Sequence, residues 1–387
     1  MSRCYSPLVL AHLAPSVPEC NVPDLPIPDA PEELTSDWLS AVLDTPVASV
    51  VVEPIDGGLI ARTFRVKPSY TLGATSGAPT ALIVKLPMAD LGIRARNEAR
   101  NFYSREVAFY QHHAPLMWAS VPTCFAAMHE PASMRSMLVL EDGTTRPGMR
   151  VGDNVAGCSL REAVAASRGF ARLHAQWWDD PRLLAEDWLP TPIEIGPGPG
   201  LAADELRALW AQLPNAHQQA AKPALRETVE LLSTRMDRVY EETASAPWTL
   251  THWDSRLDNL LIGSGTEPEV VTFDWQIVSR AQGARDLVQF AATTAIHGMS
   301  MEQAWPELTA AYYTALVAEG IAYSRADFDR AVRIAANQTV RTAVAVVARL
   351  DFTNERGPAL AARFFDSANF VAEHLDLPGL LREEFPG

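Results

Sequence analysis

The chain is poor in cysteine, in long apolar runs and in positive charge. Its 387 residues hold four cysteines, Cys4, Cys20, Cys124 and Cys158, with no C-x-x-C pair and no histidine cluster beside them. That pattern argues against a disulfide framework or a structural zinc and suits a reducing compartment. No run approaches the roughly 18 apolar residues that a membrane-spanning helix needs. The apolar patch from Leu8 to Leu13 is cut by Pro7 and Pro15 to the bare minimum of a signal segment. The expectation is a cytoplasmic protein with no membrane partner. Lys and Arg number 32 against 47 Asp and Glu, for a formal charge of −15. Such a surface disfavours nucleic acid and anionic lipid. It mildly favours cationic or metal-chelated partners, although solubility alone accounts for it.

What is present describes a globular chain of two lobes. A composition 48% hydrophobic and 20% charged is that of a folded protein, and the length exceeds one small core. Residues 1–30 are rich in proline and read as an extended arm. "PEELTSDWLSAVL" has helical spacing, with Trp38, Leu39 and Leu43 on one side. "VASVVVEPI", "ARTFRVKPSY" and "TALIVKLP" read as strands by β-branched density and alternation. Asp56-Gly57-Gly58 turns between the first two. "NEARNFYSREVAFYQHHAP" reads as one long helix, and "SMLVLEDG" as a fourth strand. The order predicts an antiparallel sheet with a helix packed on it over residues 31–143. From 144 to 387 the pattern is mainly helical, interrupted by strand-like segments at 260–263 and 269–274. The fold class expected is α+β, a β-rich small lobe joined to a helical large lobe.

One stretch stands apart. "THWDSRLDNLLI" carries His252, Asp254, Arg256, Asp258 and Asn259 and then closes with an apolar run. Asp and Asn compete for backbone hydrogen bonds and disfavour helices and strands, so the stretch reads as a loop delivering polar groups onto a strand. Phosphoryl transfer to an alcohol needs such groups: a cation for the nucleotide phosphates, ligands for Mg²⁺ and an acid to orient the hydroxyl. Asp254 and Asn259 are spaced D-x-x-x-x-N, and "VVTFDWQ" brings Asp274 to the end of an apolar strand. A carboxylate there needs a cation or hydrogen-bond donors, and the pair Asn259 and Asp274 suits Mg²⁺. Lys85 follows "ALIV"; the plainer reading is a solvated charge on an edge strand, the other a buried lysine with a partner. Glu98 and Glu106 are both candidates for that partner, and their spacing prefers neither.

The ordered set "GGLIARTFRV", "IVKLP", "REVAFYQ", "LVLEDG", "HWDSRLDNLLI", "TFDWQ" and "GARDLVQF" resembles the aminoglycoside phosphotransferase/choline kinase superfamily. It looks closest to the branch akin to ecdysteroid-kinase-like proteins, and the match runs from about residue 50 to 295. The resemblance implies a bilobal protein-kinase-like fold. It implies an ATP- and Mg²⁺-dependent kinase acting on a small-molecule alcohol. Carried over by position, Asp254 becomes the catalytic acid, with Arg256 near the transferred phosphoryl group, and Asn259 and Asp274 become Mg²⁺ ligands. Lys85 becomes the phosphate-binding lysine with Glu106 as its partner. Gly57 and Gly58 form the turn over the phosphates, and Glu141, Asp142 and Gly143 the hinge that meets adenine.

Two features depart from the pattern. The glycine usual between the His and the Asp is Trp253 here, and the phosphate loop has few glycines. His252 reads better as a loop brace than as a base, and His174 as helix core. Asp286 reads as a brace for the catalytic loop, favoured at a helix start. Trp177, Trp178 and Trp305 suit core packing better than a substrate pocket. A His-x-Asp hydrolase metal site lacks further ligands at fitting spacing. The acceptor classes left open are aminoglycosides, hydroxylated lipids, steroids or acyl thioesters, and choline-like amino alcohols. A catalytically silent nucleotide-binding module is the rival reading.

Overall fold

Alternating burial in the first third of the chain builds a five-stranded antiparallel sheet. The computed structural model describes residues 25–56, 58, 60–71, 77–195, 201–350, 352–354 and 356–386. The strands are β1 (Val47–Ile55), β2 (Ala61–Tyr70), β3 (Leu82–Pro87), β4 (Cys124–Glu130) and β5 (Arg135–Glu141). Their order across the sheet is β1-β2-β3-β5-β4. Phe64, Val66, Leu82, Val84 and Leu86 all bury one face against Trp38 and Leu39 of helix α1 (Ser36–Leu43). Each such side chain contributes about 1.5–3 kcal/mol on burial. Thr35 starts α1 by accepting the Trp38 amide at 3.2 Å, and Asp44, left-handed at φ 46°, ends it.

This sheet belongs to a compact unit of Met1–Ala89, Val107–Leu116 and Thr123–Glu141; a second unit comprises Asp90–Glu106, Met117–Pro122 and Asp142–Gly387. The segment Asp90–Glu106, expected with the sheet, thus groups with the helical unit. There the buried Arg105 donates to the Gln276 carbonyl at 3.4 Å.

Three expectations for this region change. β4 was not foreseen, because "CFAAMHE" holds no β-branched residue; its pairing with β5 makes it a strand. The long helix breaks into α2 (Leu91–Ala99) and α3 (Phe102–Ala108), followed by a π-helical turn at Phe109–His113. Asn101 sits between them at φ 56°, a left-handed position that asparagine tolerates, so Glu98 and Glu106 share no continuous helix. Of the expected arm, residues 1–24 lie outside the described residues, and the rest is docked. Leu25 and Ile27 pack on the core, the Pro26 carbonyl accepts Trp38 Nε1–H at 3.1 Å, and Asp29 O accepts Arg62 at 2.6 Å.

The second unit is mainly helical. After β6 (Met149–Val151) come α4 (Leu160–Gln176), α5 (Pro192–Ile195), α6 (Leu201–Gln212), α7 (Asn215–Ala220) and α8 (Pro223–Ala244). Short strands β7 (Thr249–Thr251), β8 (Leu260–Gly263), β9 (Val270–Thr272) and β10 (Ser279–Ala281) follow. Helices α9 (Ala284–Thr293), α10 (Met301–Ala318), α11 (Arg325–Arg349), α12 (Arg356–His374) and α13 (Leu377–Glu384) complete it. β6, β8 and β9 form one small sheet, and β7 pairs with β10. The polar stretch 252–259 spans the gap between β7 and β8, so these two sheets fix both of its ends. Among the described residues no helix is long and apolar enough to cross a membrane.

Candidate active site

The loop from His252 to Asn259 is held from beneath by one buried carboxylate. Asp286, in the first turn of α9, accepts the amides of His252 at 2.6 Å and Trp253 at 2.8 Å. His174 Nε2–H of α4 also donates to it, at 3.2 Å. Burial alone would raise the Asp286 carboxyl, but the bonds from His174 and the His252 amide outweigh it and hold the group below its ordinary range. His174 accepts in turn from the Tyr312 hydroxyl of α10 at 2.7 Å. A side chain on Gly283 would stand 2.6 Å from His174 Nδ1 and 2.7 Å from that hydroxyl, so only glycine admits this packing. His174 is therefore more than the core residue expected: it links Tyr312 to the carboxylate beneath the loop.

His252 braces the loop from within. Its Nε2–H donates to the Phe273 carbonyl at 2.8 Å, and its Nδ1 accepts the Asp254 amide at 3.3 Å. Trp253 takes φ 69°, the left-handed region, which explains why glycine suits this position. A tryptophan there carries about 1–2 kcal/mol of backbone strain. The buried Arg285 guanidinium lies 4.8 Å from the Trp253 ring centroid and offsets part of it.

The loop's acid is clamped on one side. Asp254 Oδ2 accepts Asn259 Nδ2–H at 2.9 Å and Arg256 Nε–H at 3.2 Å. Among the described residues no hydrogen bond reaches its Oδ1, and the side chain is 24% exposed. Asn259 also gives Nδ2–H to the Asp254 carbonyl at 2.9 Å, which turns its own Oδ1 the other way. Asp254 raises the Arg256 guanidinium above its ordinary value; burial opposes this, and Asp258 and Asp274 add to the rise. Asp274 thus shares the electrostatic neighbourhood of Asp254. It too is left-handed, at φ 69°, and accepts Gln276 Nε2–H at 3.2 Å. Among the described residues no group of three or more His, Cys, Asp or Glu is arranged as a metal site. One carboxylate and one amide oxygen suit Mg²⁺, which takes its other ligands from phosphate and water.

The other expected residues are spread over both units. In the first, Lys85 lies on β3, paired with Thr63 on one side and Leu138 on the other. β3 is the central strand, so the edge-strand reading of Lys85 is corrected; the side chain is half-buried, between the buried Val84 and Leu86. Gly57 lies outside the described residues. A side chain on Gly58 would run into the Ala61 carbonyl. The Glu141 amide donates to Thr123 O at 2.8 Å, and its carboxylate accepts the Thr123 amide at 3.2 Å.

In the second unit, Glu106 is buried, whereas Glu98 is only half-buried. Asp142 accepts from Thr144 N at 3.1 Å and Oγ1 at 2.6 Å, capping a turn, and a side chain on Gly143 would strike Leu261. Trp177 is core, while Trp178 and Trp305 line separate cavities of about 350 and 450 Å³. No residue of the 252–259 loop lines either cavity. Asn154 and Arg356 carried no signal in the sequence, because the chain folds them onto the loop from distant elements, and Tyr312 reaches the loop only through His174; Arg285 lies within "GARDLVQF" but was not singled out.

A family model described as ecdysteroid kinase-like matches residues 58–176 and 201–321. Among solved structures, the chain is similar to a protein assigned as an aminoglycoside phosphotransferase from Ralstonia eutropha. The two are 15% identical, with 88% of this chain and 97% of that one covered and a TM-score of 0.55. A choline/ethanolamine kinase family protein from Mesorhizobium loti is 17% identical, covering 85% and 92% with a TM-score of 0.47. A macrolide 2'-phosphotransferase from Brachybacterium faecium is 17% identical, covering 89% and 98% with a TM-score of 0.46. No curated protein matches the sequence. The first similarity establishes the α+β, protein-kinase-like fold.

Proposed function

The chain belongs to the ecdysteroid kinase-like family, and from that premise we propose that it is a small-molecule kinase. It would transfer the γ-phosphoryl group of ATP to a hydroxyl of a small-molecule alcohol. The observation that carries this reading is Asp254, with Oδ2 clamped by Asn259 and Arg256 and Oδ1 left to a hydroxyl. The acceptor's O–H donates to Oδ1, which aims the oxygen lone pair at the γ-phosphorus. As the new O–P bond forms and the bond to the β-phosphate oxygen breaks, the proton passes to Asp254 and ADP leaves.

Asn259 and Asp274 would hold Mg²⁺, which when bound offsets the charge of the nucleotide phosphates. Lys85 would hold those phosphates as well, and Gly57 and Gly58 would cover them. Glu141, Asp142 and Gly143 would meet the base. Arg256, already charged and beside Asp254, is placed to steady the group in transit.

For the acceptor, the loop favours a neutral hydroxylated compound over a polycation. Arg256, Arg285 and Arg356 stand among the loop's carboxylates and offset them, and Trp253 presents a ring where a glycine is usual. The free, buried Cys158 supports a reducing, cytoplasmic setting.

The test is a screen of mixed alcohols, sterols, aminoglycosides and amino alcohols with γ-labelled ATP and Mg²⁺. Label moving to a neutral alcohol supports the reading. ATP binding without transfer to any class would instead favour a silent nucleotide-binding module.

A further inference from the structure

Arg356, the first residue of α12, stands 98 residues beyond Asp258 and donates to it. We propose that Arg356 is a positioning residue: it pins one oxygen of Asp258, aims the other at Arg256, and so sets Arg256 against Asp254. Its kinetic part rests on the phosphotransferase reading; its structural part does not.

Every link of the chain is explicit. Asp153 accepts Arg356 Nη1–H with both oxygens, at 3.0 and 2.9 Å, which turns Nη2 toward Asp258. Asp258 Oδ1 accepts Arg356 Nη2–H at 2.8 Å and the Asn154 amide at 3.0 Å. With Oδ1 held from two directions, the carboxylate plane is set, and Oδ2 accepts Arg256 Nη1–H at 2.9 Å. Arg256 Nε–H then reaches Asp254 Oδ2 at 3.2 Å. Acid and base alternate through all five members, so removing one base leaves its two acids to compete for what remains.

Two features separate this role from plain support of the fold. Arg356 is 49% exposed and Asp153 41%, and an ion pair that open adds little to stability. The loop backbone has its own anchors: Asp286 holds the amides of His252 and Trp253, and Asn154 Oδ1 holds the Leu257 amide at 2.8 Å. Losing Arg356 should therefore leave the loop in place and free only the direction of Arg256. Asp258 is just 17% exposed and carries a charge that must find a partner. Without Arg356 it would keep only the Asn154 backbone amide on Oδ1, with Arg256 its one remaining cation, and would pull that side chain from Asp254.

The experiment compares Arg356→Met and Arg356→Lys in the full-length protein. For Arg356→Met, kcat should fall about 10- to 100-fold, the scale of a small misplacement near the reacting atoms. KM for ATP and the melting temperature should hold, and Arg356→Lys should recover most of the loss. Independently of turnover, the Nε–H resonance of Arg256, assigned by its absence in Arg256→Lys, should shift in Arg356→Met and return in Arg356→Lys. A wild-type kcat in Arg356→Met overturns the proposal, as does a lysine variant no better than the methionine one. Should the wild type transfer phosphate to no acceptor, the phosphotransferase reading fails, and the Arg256 resonance alone decides: moved supports the positioning role, unmoved overturns it.

Discussion

Replacing Asp286 tests the physical claim that one buried carboxylate holds the 252–259 loop. The side chain is fully buried and accepts two loop amides and His174. Asp286→Ala strands three buried donors at once. Removing one partner from a buried charged network costs about 3–5 kcal/mol. That is a large share of a total stability of about 5–15 kcal/mol. Asp286→Asn is the gentler probe, since it keeps one acceptor oxygen but sets an N–H against a donor. It should cost about half as much, near the roughly 1.5–3 kcal/mol of a hydrogen bond to a charged group.

The pH dependence has a definite sign. The folded Asp286 titrates below its ordinary 3.8, so its contribution is full above that value and is lost as pH falls toward the folded one. Urea titrations of the wild type and Asp286→Asn at a series of pH values read both effects. The stability gap should be widest near neutrality and shrink as the pH falls through about 4. A gap under about 1 kcal/mol, or one that does not change with pH, would refute the brace.

Three further outcomes follow from single residues. Tyr312→Phe leaves His174 Nδ1 without its donor and should cost about 1–2 kcal/mol in urea unfolding, a loss whose absence would remove Tyr312 from the chain behind the loop. Gly143→Ala drives a methyl into Leu261 and should cost about 1–3 kcal/mol, read as a lowered melting temperature; an unchanged melt would show that the contact relaxes freely. The Cys158 thiol, pushed up to about 12 by burial first and by Glu162 second, should resist iodoacetamide in the folded protein and react once denatured. Rapid labelling of the folded chain would contradict its burial.

The sequence disclosed what is local and missed what is brought together from afar. The stretch 251–262 was legible as a loop running onto a strand, because its Asp and Asn residues compete with backbone and its Leu and Ile residues do not. β1 and β3 announced themselves by Val and Ile density, and β2 by alternation. β4 did not, since it has no β-branched residue and is strand only by virtue of β5 beside it. The break at Asn101 depends on one backbone angle that helical periodicity does not carry. Lys85 looked like an edge residue because strand order cannot be read from strand content; the sheet places its strand at the centre. The same limit hid Tyr312 and Arg356. Asp254, Arg256 and Asn259 lie within six residues of one another, so their meeting was foreseeable, whereas Tyr312 is 138 residues from His174.

The most direct test of the account is Asp254→Asn. The amide keeps the side chain's shape and the loop's backbone bonds but gives up charge and basicity. Under the proposed function, the residues assigned to Mg-ATP are unchanged in this variant. The account predicts a loss of at least about 10²- to 10⁴-fold in phosphoryl transfer to the acceptor found by the screen. Calorimetry should find Mg-ATP affinity nearly unchanged, and the melting temperature should show an intact fold. Transfer by Asp254→Asn at close to the native rate would contradict the account.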